Sequence, residues 1–426
     1  MDRKLLFLLL LTAFLGFRSM GCLIDLEMGS LLLPDGTDTE SAEEADSPDR
    51  PEEALDGRDG VDRVDDGDAL HDVDADREGP CVDNDGDGYG TGEGCLGPDC
   101  DDTLPACNED CLDHDGDGMI DCHVCPSNPT YAGSIDTPGS AWYVDIANDY
   151  AYVADRTGGL KVIDVAGLPP LEVGSYALDP GPSYFSSVQM TDPVAFIADE
   201  TAGLVILSIV DPYNPLWVSV LGITGNAYDV SVVGAYAYIA ADSPGGLIVA
   251  DISDNSAPVE ISARDTAGDA RGIQAAGSYA YVADGNNGLV IFDVSEPAHP
   301  VLAGTYTPAP VCYVQHAHRV SGSYAFIACQ AGGLQILDVS NPASPVFVSG
   351  FDTTGTANGV FEQNGIAYVA DGGAGLRVID ADDIFNPVEI GFYDTPGNAW
   401  KVKVVKGYAY VADGDSGLQV ISLLCQ

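Results

Sequence analysis

The sequence predicts an all-β chain whose folded part is a seven-bladed propeller of four-stranded blades. Three observations carry that prediction. A Gly-Leu pair recurs at Gly159-Leu160, Gly203-Leu204, Gly246-Leu247, Gly288-Leu289, Gly333-Leu334, Gly375-Leu376 and Gly417-Leu418, at intervals of 44, 43, 42, 45, 42 and 42 residues. An apolar, β-prone run stands on each side of the turn that holds the pair, as in Tyr279–Asp284 and Gly288–Asp293, so the period is one small antiparallel sheet. Finally, the seventh repeat stops one strand short, while a strand of matching pattern stands alone ahead of the first. Sheets this small cannot bury both faces by themselves, and radial stacking of neighbours solves the problem.

Each repeat divides into four strands. In the third they are expected at Ala227–Val233, Tyr236–Ala241, Leu247–Ile252 and Val259–Arg264, with Gly and Pro between them as turns require. An Asp closes the third strand (Asp164, Asp251, Asp293, Asp338, Asp380), and a Pro precedes the fourth (Pro215, Pro258, Pro300, Pro345, Pro387). The second and seventh repeats carry Ser208 and Ser422 in place of that Asp. On these residues, with Leu160–Asp164 and Leu376–Asp380 as close matches, the repeats resemble the LVIVD-repeat family of bacterial exported propellers. The resemblance implies the fold and an exported location, and no defined activity.

The isolated strand around Tyr131–Thr137 matches the outer strands Val346–Asp352 and Val388–Asp394. It is therefore expected to complete the seventh blade, pairing Ser134 and Ile135 with Leu418–Ile421, so that no sheet edge stays open where the ring closes. Antiparallel pairing then brings Cys425 near Cys125, and a Cys125–Cys425 bridge is expected to lock nearly the whole propeller into one loop. Cys312 and Cys329 fall on neighbouring strands of the fifth blade in imperfect register.

Ahead of the propeller (129–426) the chain divides into three stretches. Residues 1–22 read as a processed targeting segment: Arg3 and Lys4, an apolar run from Leu5 to Phe17, then Ser19-Met20-Gly21-Cys22. The small residues before Cys22 resemble a bacterial lipobox, which implies lipidation of Cys22; ordinary secretion is the alternative. Residues 23–80 are rich in Asp, Glu, Gly and Pro, too poor in apolar side chains to fold, and read as an acidic linker.

Residues 81–128 carry seven of the eleven cysteines and two Asp-x-Asp-x-Asp-Gly loops. Carboxylates at alternate positions before a Gly let a turning loop aim several oxygens at one point, the arrangement a hard cation needs. Gly94 and Val124 occupy the places where an EF-hand needs its last Glu, so a helix-loop-helix is excluded. The spacing instead resembles thrombospondin type 3 repeats and related Cys- and Asp-rich motifs. That resemblance implies Ca²⁺ bound by Asp83, Asp85, Asp87, Asp113, Asp115, Asp117 and Asp121, with Asp99, Asp101 and Asp102 as a second Asp cluster.

The formal charge of −51, with 67 acidic against 16 basic residues, argues against a nucleic-acid partner and against anionic membrane surfaces. Contact with a membrane is expected only through a lipid on Cys22. The chain is expected to work as a monomer in the bacterial envelope, as an outer-membrane lipoprotein or an extracellular protein.

Within the repeats, one position varies while its neighbours repeat. Counted back from the repeated Ala of each second strand it reads Trp142, Ser186, Tyr228, Arg271, His316, Asn358 and Trp400, whereas two residues later the blades carry Val, Val, Val, Ile, His318, Val and Val. Repetition where packing governs and variety where it does not is the signature of a binding mouth. Trp142, Tyr228, Arg271, His316, Asn358 and Trp400 are the candidate ligand-binding residues, suited to a polar ligand with a flat or sugar-like face, or a peptide. The Asp ending each second strand (Asp155, Asp199, Asp242, Asp284, Asp371, Asp413) is read as a turn-capping residue, and Cys329 takes its place in the fifth blade. Neither a nucleophile elbow nor a zincin motif occurs, and the expected role is binding of a protein or glycan, not catalysis. The alternative is a hydrolase or lyase acting on sugars or lactones at the mouth through His316, His318, Arg271 and Glu362.

Overall fold

Each repeat folds as one four-stranded antiparallel sheet, and there are seven sheets. The computed structural model describes residues 128–179, 183–308, 314, 316–319 and 323–424. The innermost strands are Tyr143–Ala147, Phe185–Thr191, Ala227–Val233, Gly272–Ala276, His316–Arg319, Gly359–Gln363 and Lys401–Val405, and we number the blades 1 to 7 in that order. In blade 3 the other strands are Tyr236–Ala241, Gly246–Asp251 and Val259–Arg264, so only the third departs from expectation, starting and ending one residue earlier.

The ring closes with the chain's two ends. Thr130–Ile135 is the outer strand of blade 7, with Ser134 opposite Gln419 and Ile135 opposite Leu418. Gly417 shows how the two ends fit. Its φ is +68°, and a Cβ there would strike the carbonyl oxygen of Ile135. The Gly of every Gly-Leu pair has the same left-handed backbone and faces the matching carbonyl of its own outer strand, Tyr176 in the case of Gly159. Any side chain at this crossing would be both strained and obstructed, which fixes Gly at each recurrence.

The apolar core is divided into seams between blades. Tyr152, Leu160 and Val162 of blade 1 pack on Phe185, Ile197 and Leu207 of blade 2, and one such cluster fills each of the seven junctions. The seam between blades 7 and 1 joins Leu418 and Val420 to Val144 and Ile163. Second strands lie inside two seams at once and are apolar on both faces, whereas outer strands alternate.

Innermost strands have an open edge toward the axis, and unpaired backbone N–H groups there need acceptors. Side chains of the preceding blade supply them. The Asp145 carboxylate accepts from Met190 N at 2.9 Å, Ser187 Oγ from Val230 N at 3.1 Å, Gln189 Oε1 from Val232 N at 2.7 Å, Asp229 from Ile273 N at 3.0 Å and Ser231 Oγ from Ala275 N at 3.0 Å. Much of the polar lining of the axis in blades 1 to 4 thus stitches one blade to the next.

The second-strand Asp residues are structural, but their partners differ from the sequence reading. Asp155, Asp284, Asp371 and Asp413 are fully buried and accept the hydroxyl protons of Thr137, Thr266, Thr353 and Thr395, each at 2.6 Å. Gly139, Gly355 and Gly397 donate backbone N–H groups to the second oxygen in three of them. These partners belong to the loop arriving from the previous blade, so the Asp clamps the crossover between blades. Asp199 also caps its own turn, through Thr201 and Ala202, and Asp284 accepts from the Asn287 side chain of its own turn at 3.1 Å. In blade 5 the buried residue at this place, Cys329, is disulfide-bonded.

The targeting segment with Cys22, the acidic linker, the Asp-rich stretch and the pair Cys125 and Cys425 lie outside the described residues, as does Cys312.

Candidate functional site

The mouth is made by the residues that enter the innermost strands. Trp142, Ser186, Tyr228, Arg271, Asn358 and Trp400 converge on one cavity of about 250 Å³, with Tyr143, Asp229, Gln330 and Lys401 completing its wall and floor. Two residues further along, Val144, Val188, Val230, Ile273, Val360 and Val402 are buried in the seams, as the repeated pattern required.

Blade 5 departs from the count. Its first hairpin is one residue longer, for Ala325 pairs with Arg319, six residues away, where Ala151 of blade 1 pairs with Ile146. His316 therefore stands opposite Ala328 as Tyr143 stands opposite Ala154 and Lys401 opposite Ala412. The buried seam position of blade 5 is Ala317, one place before His318. Glu362 also leaves the candidate set: it is buried, accepts from Gly365 N at 2.9 Å in its own hairpin and does not line the mouth.

The aromatic residues of the mouth are already stacked. Trp142 and Trp400 lie 4.6 Å apart at 25° between planes, and the guanidinium of Arg156 sits 3.8 Å from the Trp142 centroid. Trp142 is therefore engaged by a ring and by a cation at once. Arg156 is tied in turn to Glu200 at 2.9 Å, and Ser186 Oγ donates to the same carboxylate at 3.0 Å. Across the cavity Arg271 repeats the motif, its guanidinium 3.8 Å from the Tyr228 centroid.

Sequence reading missed Arg156 and Gln330. Both stand immediately after the residue that ends the second strand, where blades 4, 6 and 7 have Gly285, Gly372 and Gly414 at φ of 58–60°. Arg156 and Gln330 hold the same left-handed backbone, at φ 45° and 40°. Bridges to the next blade (Arg156 with Phe185, Gln330 with Ala357, Gly372 with Ala399) show that the places are equivalent. A long side chain here costs about 1 kcal/mol relative to Gly. Backbone strain gathered at a mouth is a pointer to function. A Gly position that turns polar in two repeats was the available signal.

The floor holds a buried pair of opposite charges. Lys401 Nζ lies 4.4 Å from the Tyr143 centroid, and burial pushes its pKa down to about 7 against the pull of Asp229. Burial likewise raises the Asp229 carboxyl, countered by Lys401 and by the backbone N–H of Ile273. Below them Lys403 pairs with Asp145 at 3.2 Å. Among the described residues, no group of three or more His, Cys, Asp or Glu could hold a metal ion.

Seven segments match the LVIVD repeat, at residues 138–177, 186–220, 224–266, 267–308, 319–353, 354–395 and 396–422, together well over half the chain. The chain belongs to the LVIVD-repeat family. No curated protein matches it by sequence. Solved structures share the fold at low identity. The Myceliophteria thermophila Cps50 (Swd1) β-propeller domain is 10% identical with a TM-score of 0.56, the match covering 69% of this chain and 99% of that one. A structure described as YCF48 bound to D1 peptide is 12% identical with a TM-score of 0.53, covering 70% and 98%. Chaetomium thermophilum Raptor is 11% identical with a TM-score of 0.55, covering 71% of this chain and 30% of its own.

Proposed function

We propose that this LVIVD-repeat propeller is a non-enzymatic binding or scaffold protein that presents its mouth to a protein or glycan partner. One observation carries the reading. The side chains that repeat between blades are spent on clamps and seams, whereas the variable ones converge on a single cavity with two strained polar residues at its edge. The test is a glycan array and an affinity pull-down with the full chain beside a Tyr228→Ala/Trp400→Ala variant. Partners retained by the parent and lost by the variant support the reading; partners bound equally by both refute it.

Ahead of the propeller, the two Asp-x-Asp-x-Asp-Gly loops support Ca²⁺ as the cofactor, and the Cys22 context supports a lipid anchor at the bacterial cell surface. A calcium titration of the full chain, followed by circular dichroism and thermal melting, tests the first, with a rise in melting temperature expected. Mass spectrometry of the mature N-terminus tests the second.

A further inference from the structure

The chemistry of the mouth narrows what it can hold. The propeller region, 129–426, carries 32 acidic and nine basic residues, yet four of the nine (Arg156, Arg271, Lys401 and Lys403) line the mouth or the channel beneath it. Glu200, Asp145 and Asp229 lie against three of these cations, so the axis is close to neutral and repels an anion less than the acidic surface around it does. On the floor, Asp229 is held by backbone N–H groups from Val230 at 2.9 Å and Ile273 at 3.0 Å.

Blade 1 also contains a worked example of recognition. Arg156 lies over Trp142 with its guanidinium carbon 3.8 Å from the ring centroid, and the same guanidinium meets the Glu200 carboxylate at 2.9 Å. Arg271 lies on Tyr228 at the same 3.8 Å and lines the cavity. We propose, building on the mouth as the binding site, that it takes a carboxylate borne on a small planar or apolar body, with Arg271 meeting that carboxylate as Arg156 meets Glu200. The apolar body rests against the tryptophan and tyrosine rings. A cavity of about 250 Å³ limits it to a single small acid or to the last residue of a peptide.

The experiment is isothermal titration calorimetry on the full chain with indole-3-acetate and phenylacetate, each against its primary amide. A peptide ending in a free tryptophan carboxylate is run against the same peptide amidated. Acids are expected to bind at least about tenfold more tightly than their amides. Arg271→Met should erase that preference. Gln330→Glu, nearly isosteric at the cavity wall, should weaken the acids by about tenfold and leave the amides unchanged. Gln330→Glu also serves if Arg271→Met melts early. Binding of the free acids identifies a small-molecule ligand, and binding of the peptide acid alone identifies a chain end. Amides that bind as well as acids, with both lost in Tyr228→Ala/Trp400→Ala, overturn the carboxylate while leaving the mouth as the site. No binding of any acid at millimolar concentration overturns the proposal outright, and a partner from the array that ignores the mouth variant refutes the site itself.

Discussion

Arg156 covers one face of Trp142 at 3.8 Å from the ring centroid, and it does so from a backbone φ of 45° where three other blades use Gly. The molecule therefore accepts local strain to keep a guanidinium at its mouth. Replacing Gln330, which is strained in the same way without an ion pair of its own in view, isolates the effect. Gln330→Gly is expected to raise stability by about 1 kcal/mol in urea unfolding and to weaken ligand binding at the mouth. A variant no more stable than the parent would show that the left-handed turn carries no strain.

Closure by Thr130–Ile135 gives a second expectation. A chain lacking residues 1–136 leaves Leu418–Ser422 as an open edge and removes the carbonyl partner of Gly417. It should lose more than about 4 kcal/mol of stability and self-associate. A synthetic peptide of residues 130–137 added in excess should restore the melting temperature by entering the vacant place. Full stability without the segment would contradict the closure.

The buried clamps make a signed prediction about pH. Burial lifts Asp155, Asp284, Asp371 and Asp413 above the ordinary carboxylate value of 3.8. A folded pKa above the unfolded one means the native state binds protons more tightly, so stability grows as pH falls through the raised values toward 3.8. Exposed Asp251, Asp293 and Asp338 sit below 3.8 through bonds to the following Ser residues, and their contribution is lost only under stronger acid. The melting temperature should thus rise from pH 7 to a maximum near about 4 and then fall. Asp371→Asn should flatten the rise; a melting temperature that declines steadily from pH 7 to 5 would refute the assignment.

Lys401 is expected to titrate near neutrality. With a folded pKa of about 7 against 10.5 for a free lysine, the unfolded chain holds the proton more tightly, so this residue adds stability as pH climbs from 7 toward 10.5. Carbon-detected NMR of the lysine side chains should show one signal moving between pH 6 and 8, as about 7 requires, and losing it in Lys401→Met assigns it. Lysine signals that all move above pH 9 would refute it.

Much of the fold was legible because the same physical demands return in each repeat. Gly417 must be Gly for the reason Gly159 must, and the outer strand missing after Ser422 had its counterpart at Thr130. The mouth was legible in part. Trp142, Tyr228, Arg271, Asn358 and Trp400 stood out by varying within a constant frame, and they do meet. His316 stands level with Tyr143 and Lys401, not with Trp142, because counting back from the second strand assumes a constant hairpin, and that of blade 5 is longer. Lys401 and Asp229 escaped notice because their importance comes from facing each other across the axis, a proximity between blades 7 and 3 that no single repeat records.

The seam joining blade 7 to itself has a meaning for biosynthesis. The first strand of the propeller must wait, unmated, while the other blades are translated, for its hydrogen-bonding complement Leu418–Ser422 is the last propeller strand to be made. A chain interrupted anywhere along the way cannot form a complete circle. The architecture thereby checks the ring itself, because the first strand is satisfied only once the seventh blade has been made.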